Sequence, residues 1–145
     1  MRISDIAREA GVGVETVRFY EQKGLIQQPA KPRTGGYRDY PAQSVHRIRF
    51  IRRAQQLGFS LGEILELLEL ESGPTARCAD VRSRAKAKRA EVLTRIDNLK
   101  RIQEVLETLI DACPGKGPAR KCSILGAISN GDLRLDSMKE GDNHG

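Results

Sequence analysis

The chain has 145 residues and a formal net charge of +6, enough for one compact domain or a small head with an extension. The excess charge is local: residues 1–57 hold 11 Lys/Arg against 5 Asp/Glu, and the remainder holds 14 of each, which points to a polyanion partner for the first segment. No apolar run is long enough to cross a membrane, no signal-peptide apolar core follows Met1, and three cysteines cannot close an intrachain disulfide framework, so the expected setting is the cytoplasm with reduced thiols.

Ser4 is placed to cap a first short helix with Ile6, Ala7 and Ala10 on its apolar face, and Gly11 can end it. Gly13 leads into a second helix, Val14 to Lys23, closed by Gly24. Two short helices about a glycine turn make a helix-turn-helix. On the second, Val14 and Val17 read as inward, whereas Thr16 and Arg18 are suited to base edges or phosphates and Tyr20 to a phosphate oxygen. Any one of these residues could equally be ordinary solvated surface; the set in this frame favours DNA. From Gln27 to Tyr40 the chain carries Pro29, Pro32 and Gly35-Gly36, a hairpin signal flanked by Lys31, Arg33 and Thr34 before and Tyr37 and Arg38 after. A basic hairpin beside a helix-turn-helix reads as a wing lying on DNA.

Pro41 opens a third helix, expected to turn Val45, Ile48, Ile51 and Leu57 inward and Arg47, Arg49, Arg52 and Arg53 elsewhere; His46 reads as surface rather than as a ligand. Ser60-Leu61-Gly62-Glu63 is a capping box for a fourth helix through Ile64 and Leu68. Ser72-Gly73-Pro74-Thr75 is the clearest break. It separates a head, 1–72, from a long helix, 73–113.

Every seventh residue from Cys78 gives Ala85, Val92, Leu99, Leu106 and Cys113, with no Pro or Gly between, an amphipathic helix built to lie along another helix. At about 1.5 Å per residue the two cysteines stand roughly 50 Å apart on one face. In an antiparallel pair of this helix, residues whose numbers sum to 191 meet, so Val92 faces Leu99, Ala85 faces Leu106 and Cys78 faces Cys113. The spacing therefore fits a two-fold homodimer with a cysteine from each chain at either end. The plainer alternative is a coiled-coil face with two buried cysteines acting as small hydrophobes.

After Cys113, Pro114-Gly115-Lys116-Gly117-Pro118 stops the helix, and Cys122 closes a loop of eight residues. Residues 123–128 can form a short apolar helix that docks on the rod's end, so 114–130 reads as a loop plus helix, and 131–145 as a disordered polar tail. Cys113 and Cys122 of one chain with Cys78 of the other make a three-thiolate site, suited to soft ions such as Hg²⁺, Cd²⁺, Pb²⁺ or Cu⁺. A structural zinc site wants a fourth ligand, and His144 lies in the tail. Lys116, Arg120 and Lys121 should lower the thiol pKa values. With no His near the cysteines, and no nucleotide or paired-carboxylate motif, an enzyme is not expected. A thiol-dependent metal chaperone or detoxifying enzyme is a rival that the basic head opposes.

The segment Val14 to Glu21, the Gly24-Leu25-Ile26 after it, Gly36-Tyr37-Arg38, and Phe50 to Leu68 with Leu57-Gly58-Phe59-Ser60-Leu61 resemble the MerR family of transcriptional regulators, over roughly residues 2–128. The resemblance implies a mainly α fold: a winged helix-turn-helix head, a long antiparallel coiled-coil helix and a C-terminal metal-binding loop. It also implies a homodimer on a pseudo-palindromic operator, repressing without metal, and with metal underwinding the promoter so that RNA polymerase can engage. The cysteine separations, 35 and 9, are those of the family's mercury-responsive members, in which one ion is held by three thiolates across the dimer. Those members often have Pro after the third cysteine. Ser123 stands here instead, as in related lead- and cadmium-responsive members, which leaves Pb(II) and Cd(II) beside Hg(II) as effectors. A regulator that senses oxidants through disulfide formation is a further alternative.

Overall fold

In the computed structural model, residues 1–133 and 135 are described. Among them there are helices and no strands. The chain forms two compact units, one spanning Met1–Ser83 and the other beginning at Arg84.

The first unit opens with α1 (Ile3–Ala10) and α2 (Val14–Gln22). Ser4 lies inside the first turn of α1 and does not cap it: Asp5 reaches back instead, its Oδ2 accepting the Arg2 N–H at 2.9 Å. Gly11 ends α1 at φ 75°, a left-handed conformation costly to residues with a side chain, and the chain turns directly into α2. The third helix, α3 (Gln43–Gln56), begins two residues after Pro41, and α4 (Leu61–Ser72) starts at the expected capping box. Ser60 Oγ accepts the Glu63 N–H at 3.2 Å, and Glu63 Oε1 accepts the Ser60 N–H at 2.8 Å.

Helices α1, α2, α3 and α4 bury one aliphatic core: Ile6 and Ala7 from α1, Val17 and Tyr20 from α2, Val45, Ile48, Ile51 and Ala54 from α3, Ile64 and Leu68 from α4, joined by Leu25, Ile26 and Tyr40. Leu57 is not among them. It follows the end of α3 and is 68% exposed, because the inward row on that helix closes at Ala54 and the chain then turns at Gly58. Three of the four α3 arginines serve the fold. Arg47 donates its Nε–H to the Leu25 carbonyl at 2.5 Å. Arg49 donates to the Glu9 carbonyl at 2.8 Å and Arg52 to the Gly11 carbonyl at 3.1 Å, satisfying oxygens at the C-terminal end of α1.

Between α2 and α3 the expected hairpin makes its turn but no ladder. Gly35 and Gly36 take φ 82° and 103°, and the Gly35 N–H donates to the Pro32 carbonyl at 3.2 Å. The arms 27–32 and 37–40 do not pair as strands. Pro29 and Pro32 each lack a backbone donor, which removes rungs from one arm.

The long helix, α5 (Cys78–Ala112), is uninterrupted over 35 residues. Its heptad stripe is solvent-facing in the single chain: Val92, Ile96, Leu99, Leu106 and Ile110 are 40–61% exposed. A 3-10 turn (Ala119–Lys121) leads into α6 (Ser123–Asn130), closed by Gly131. An open groove of about 710 Å³ runs between α5 and α6, lined by Val105, Leu109, Ala112, Ser123 and Ala127 among others. Most of the tail, expected to be disordered from 131, and His144 with it, lies outside the described residues.

Candidate functional site

The head presents a cationic face built on α2 and the wing loop. Arg18 is exposed on α2 and Thr16 is half-buried beside it. In the wing, Arg33 and Tyr37 are exposed and Arg38 is half-buried. Tyr20 departs from the expectation. Its ring is 3% exposed in the core, and its hydroxyl donates to Gln55 Oε1 at 2.8 Å, so it braces α2 from behind. The i, i+3 relation of Val17 and Tyr20 puts both on the buried side of α2, a periodicity that outweighs the polar hydroxyl.

Two neighbours of this face were not visible in the sequence. The Arg2 guanidinium lies over the Tyr37 ring, 4.0 Å from its centroid, a cation–π contact that brings a further positive charge to the wing. At the wing's base the Tyr40 hydroxyl donates to Glu21 Oε1 at 2.9 Å. Burial first, and then this bond to Glu21, push the Tyr40 pKa up to about 12, against the opposing charges of Arg38 and Arg18. Both contacts join residues distant in sequence, which local periodicity cannot reveal.

The cysteines fall into a pair and a single. Cys78 is the first residue of α5 and is exposed. Cys113 follows the end of α5, its N–H donating to the Ile110 carbonyl at 3.1 Å, and Cys122 stands at the N-cap position of α6. The loop folds back so that the Cys113 side chain lies close enough to Cys122 to act on its thiol. The Cys122 thiol is held below the ordinary range. The main causes are the backbone N–H groups of Leu125 and Ile124 at the start of α6, with Cys113 a smaller one. Lys116, Arg120 and Lys121 are not among the causes, so the expected role of the loop's cations is replaced by the helix terminus. Two soft donors held together, one biased toward thiolate, fit a thiophilic ion and do not fit Mg²⁺ or Ca²⁺. Among the described residues of one chain no three potential ligands converge.

A helix-turn-helix head with a basic loop at its side, followed by a long helix with a bare apolar stripe, defines a DNA-binding transcriptional regulator. The chain matches the family model described as MerR HTH family regulatory protein over residues 1–71 and that described as MerR, DNA binding over residues 45–109. It belongs to the MerR family. It is 40% identical over 131 residues to the mercuric resistance operon regulatory protein of Pseudomonas fluorescens, covering 90% of this chain and 89% of that one. The structure resembles the transcription regulator PbrR691 from Ralstonia metallidurans CH34 in complex with lead(II), with TM-score 0.78, 34% identity, and coverage of 88% of this chain and 98% of that one. It also resembles the regulator MerR of Bacillus megaterium MB1 in complex with mercury(II), with TM-score 0.67, 35% identity, and coverage of 89% and 99%.

Proposed function

We propose that this protein is a metal-responsive regulator of a heavy-metal resistance operon, repressing without metal and activating with it, whose effector is Hg(II) bound by three thiolates across a homodimer. Cys113 and Cys122 of one chain supply two sulfurs, and Cys78 of the partner subunit the third. The observation that carries this reading is the Cys113–Cys122 thiol contact with a depressed Cys122 pKa. The apolar stripe of α5, exposed in one chain, supplies the surface for the antiparallel partner. Thr16 and Arg18 read the operator with Arg33, Tyr37 and Arg38 on its backbone, while Tyr20 supports α2 from the core. RNA polymerase is the partner at the promoter, in the cytoplasm. An ion shifts the balance between repressing and activating states only by its difference in affinity for the two, and a site shared by two chains can have that difference.

The test is promoter induction across Hg²⁺, Pb²⁺, Cd²⁺, Zn²⁺ and Cu⁺, alongside thiolate-to-metal charge-transfer absorbance, for the native protein and its three Cys→Ser variants. Induction at the lowest concentration by Hg²⁺, lost in each variant while repression persists, supports the reading. Full induction in Cys122→Ser would falsify the site; strongest response to Pb²⁺ or Cd²⁺ would keep the site and change the ion. The same thiol contact could also close a disulfide. Induction by peroxide, with loss of two titratable thiols and without metal, would favour an oxidant sensor.

A further inference from the structure

The wing has no strand ladder to set its direction, so its placement depends on what ties its ends. At the base, the Tyr40 ring is buried, its N–H donates to the Met1 carbonyl at 2.7 Å, and its hydroxyl reaches Glu21 on α2, 19 positions earlier in the chain. Beyond it, Tyr37 lies under Arg2. The Tyr40–Glu21 bond is a side-chain link between the wing and α2. The charges of both arginines that would meet DNA, Arg38 and Arg18, are felt at the Tyr40 hydroxyl. The second Glu21 oxygen, Oε2, is buried without a hydrogen-bond partner. A carboxylate placed this way costs stability, and an apolar side chain would fill the space at less cost. Packing alone therefore gives no reason for an acid here.

We propose that Glu21 and Tyr40 are positioning residues for operator recognition: their hydrogen bond fixes the wing against α2, setting the separation at which Arg18 and Arg38 meet one duplex. This rests on the reading that both arginines face DNA. The pair touches no nucleotide itself. It converts two independent cationic elements into one surface of fixed span, which lowers the ordering cost of binding and makes contacts at the operator's outer positions depend on Glu21.

The experiment uses the full-length dimer and a duplex that the native protein selects from random-sequence DNA. Hydroxyl-radical footprints and affinities are compared for Tyr40→Phe, Glu21→Ala, Glu21→Gln and Arg38→Ala. Tyr40→Phe keeps the core ring, and Glu21→Gln keeps an acceptor oxygen. The expected result is loss of outer protection with inner protection retained, and affinity down about tenfold, for Tyr40→Phe and Glu21→Ala. Glu21→Gln should restore the native footprint. A native footprint for Tyr40→Phe overturns the proposal, as does a parallel fall of inner and outer protection, or failure of Glu21→Gln to rescue. If Arg38→Ala keeps full outer protection, the DNA-facing reading of the wing falls and takes the proposal with it. If Arg38→Ala loses that protection and Tyr40→Phe does not, the proposal alone falls.

Discussion

Tyr20 on α2 donates its hydroxyl hydrogen to Gln55 Oε1 on α3 across 2.8 Å, tying the recognition helix to the helix behind it. Removing the hydroxyl with Tyr20→Phe leaves the ring in the core and Gln55, which is exposed, free to turn to water. The expected loss is about 0.5–1 kcal/mol of stability, at the low end for a hydrogen bond. It should be visible as a lower urea midpoint, with the salt dependence of DNA binding unchanged. A smaller salt slope for this variant would mean that Tyr20 touches phosphate after all.

Cys122 is expected to alkylate with iodoacetamide along a pH profile whose inflection lies below that of a free cysteine peptide. Its pKa is lowered by the Leu125 and Ile124 N–H groups and by Cys113. The sign follows from the direction. A depressed acid favours the folded state above the unfolded value, and that contribution is lost as pH falls through the folded one. Peptide mapping of labelled protein at a series of pH values checks this; an inflection at or above that of a free cysteine peptide contradicts it.

Ser123→Pro should leave metal binding intact. Ser123 is the first residue of α6, where proline costs no helical hydrogen bond. Cys122 already has φ −69° and ψ 127°, which a following proline requires. The N–H groups acting on the thiol belong to residues 124 and 125. Charge-transfer titrations of variant and native protein with Hg²⁺ should superimpose within a factor of about two, well under 1 kcal/mol.

Leu99→Glu should separate the dimer. Leu99 is 59% exposed in one chain, and in the proposed antiparallel register it faces Val92 of the partner subunit. An unpaired carboxylate buried there is expected to weaken association by at least about 3 kcal/mol, roughly 100-fold. Sedimentation velocity would show monomer, and Hg²⁺ would retain two thiolate ligands instead of three.

Raising the pH should unlock the wing's base. Tyr40 keeps its proton up to about 12 through burial and the bond to Glu21, with Arg38 and Arg18 opposing. A raised acid favours the folded state below the unfolded value, near 10, and that contribution disappears as pH climbs toward the folded one. Tyrosinate absorbance should therefore show a late phase for Tyr40, in addition to the titration of buried Tyr20, which is also shifted up. In Tyr40→Phe that late phase should be absent.

The helix-turn-helix, the Ser60–Glu63 capping box and the run of α5 were legible because each rests on short-range chemistry: spacing, caps and breakers. The paired cysteines were legible for the same reason, being joined by one short loop. Tyr20 was misjudged by weighing its hydroxyl over its place in the helical period. Leu57 was misjudged by extending the inward row of α3 one turn too far. The Ser4 cap was displaced by a carboxylate one residue on. The ties of Arg2 to Tyr37 and of Tyr40 to Glu21 could not be read at all, since they depend on tertiary placement. The glycine turn signalled a hairpin, but the prolines before it removed the donors a ladder needs.

The long helix starts at Cys78 and stops one residue short of Cys113, so in the proposed shared site its length would work as a gauge between sulfurs. Inserting a single residue would swing everything downstream by about 100° and advance it about 1.5 Å, carrying one ligand off the seam. Adding or removing seven would preserve the face and move both ends equally in both chains. Under that proposal length changes in this element are quantised, and a descendant that altered it by any other number would have to rebuild the proposed ligand set.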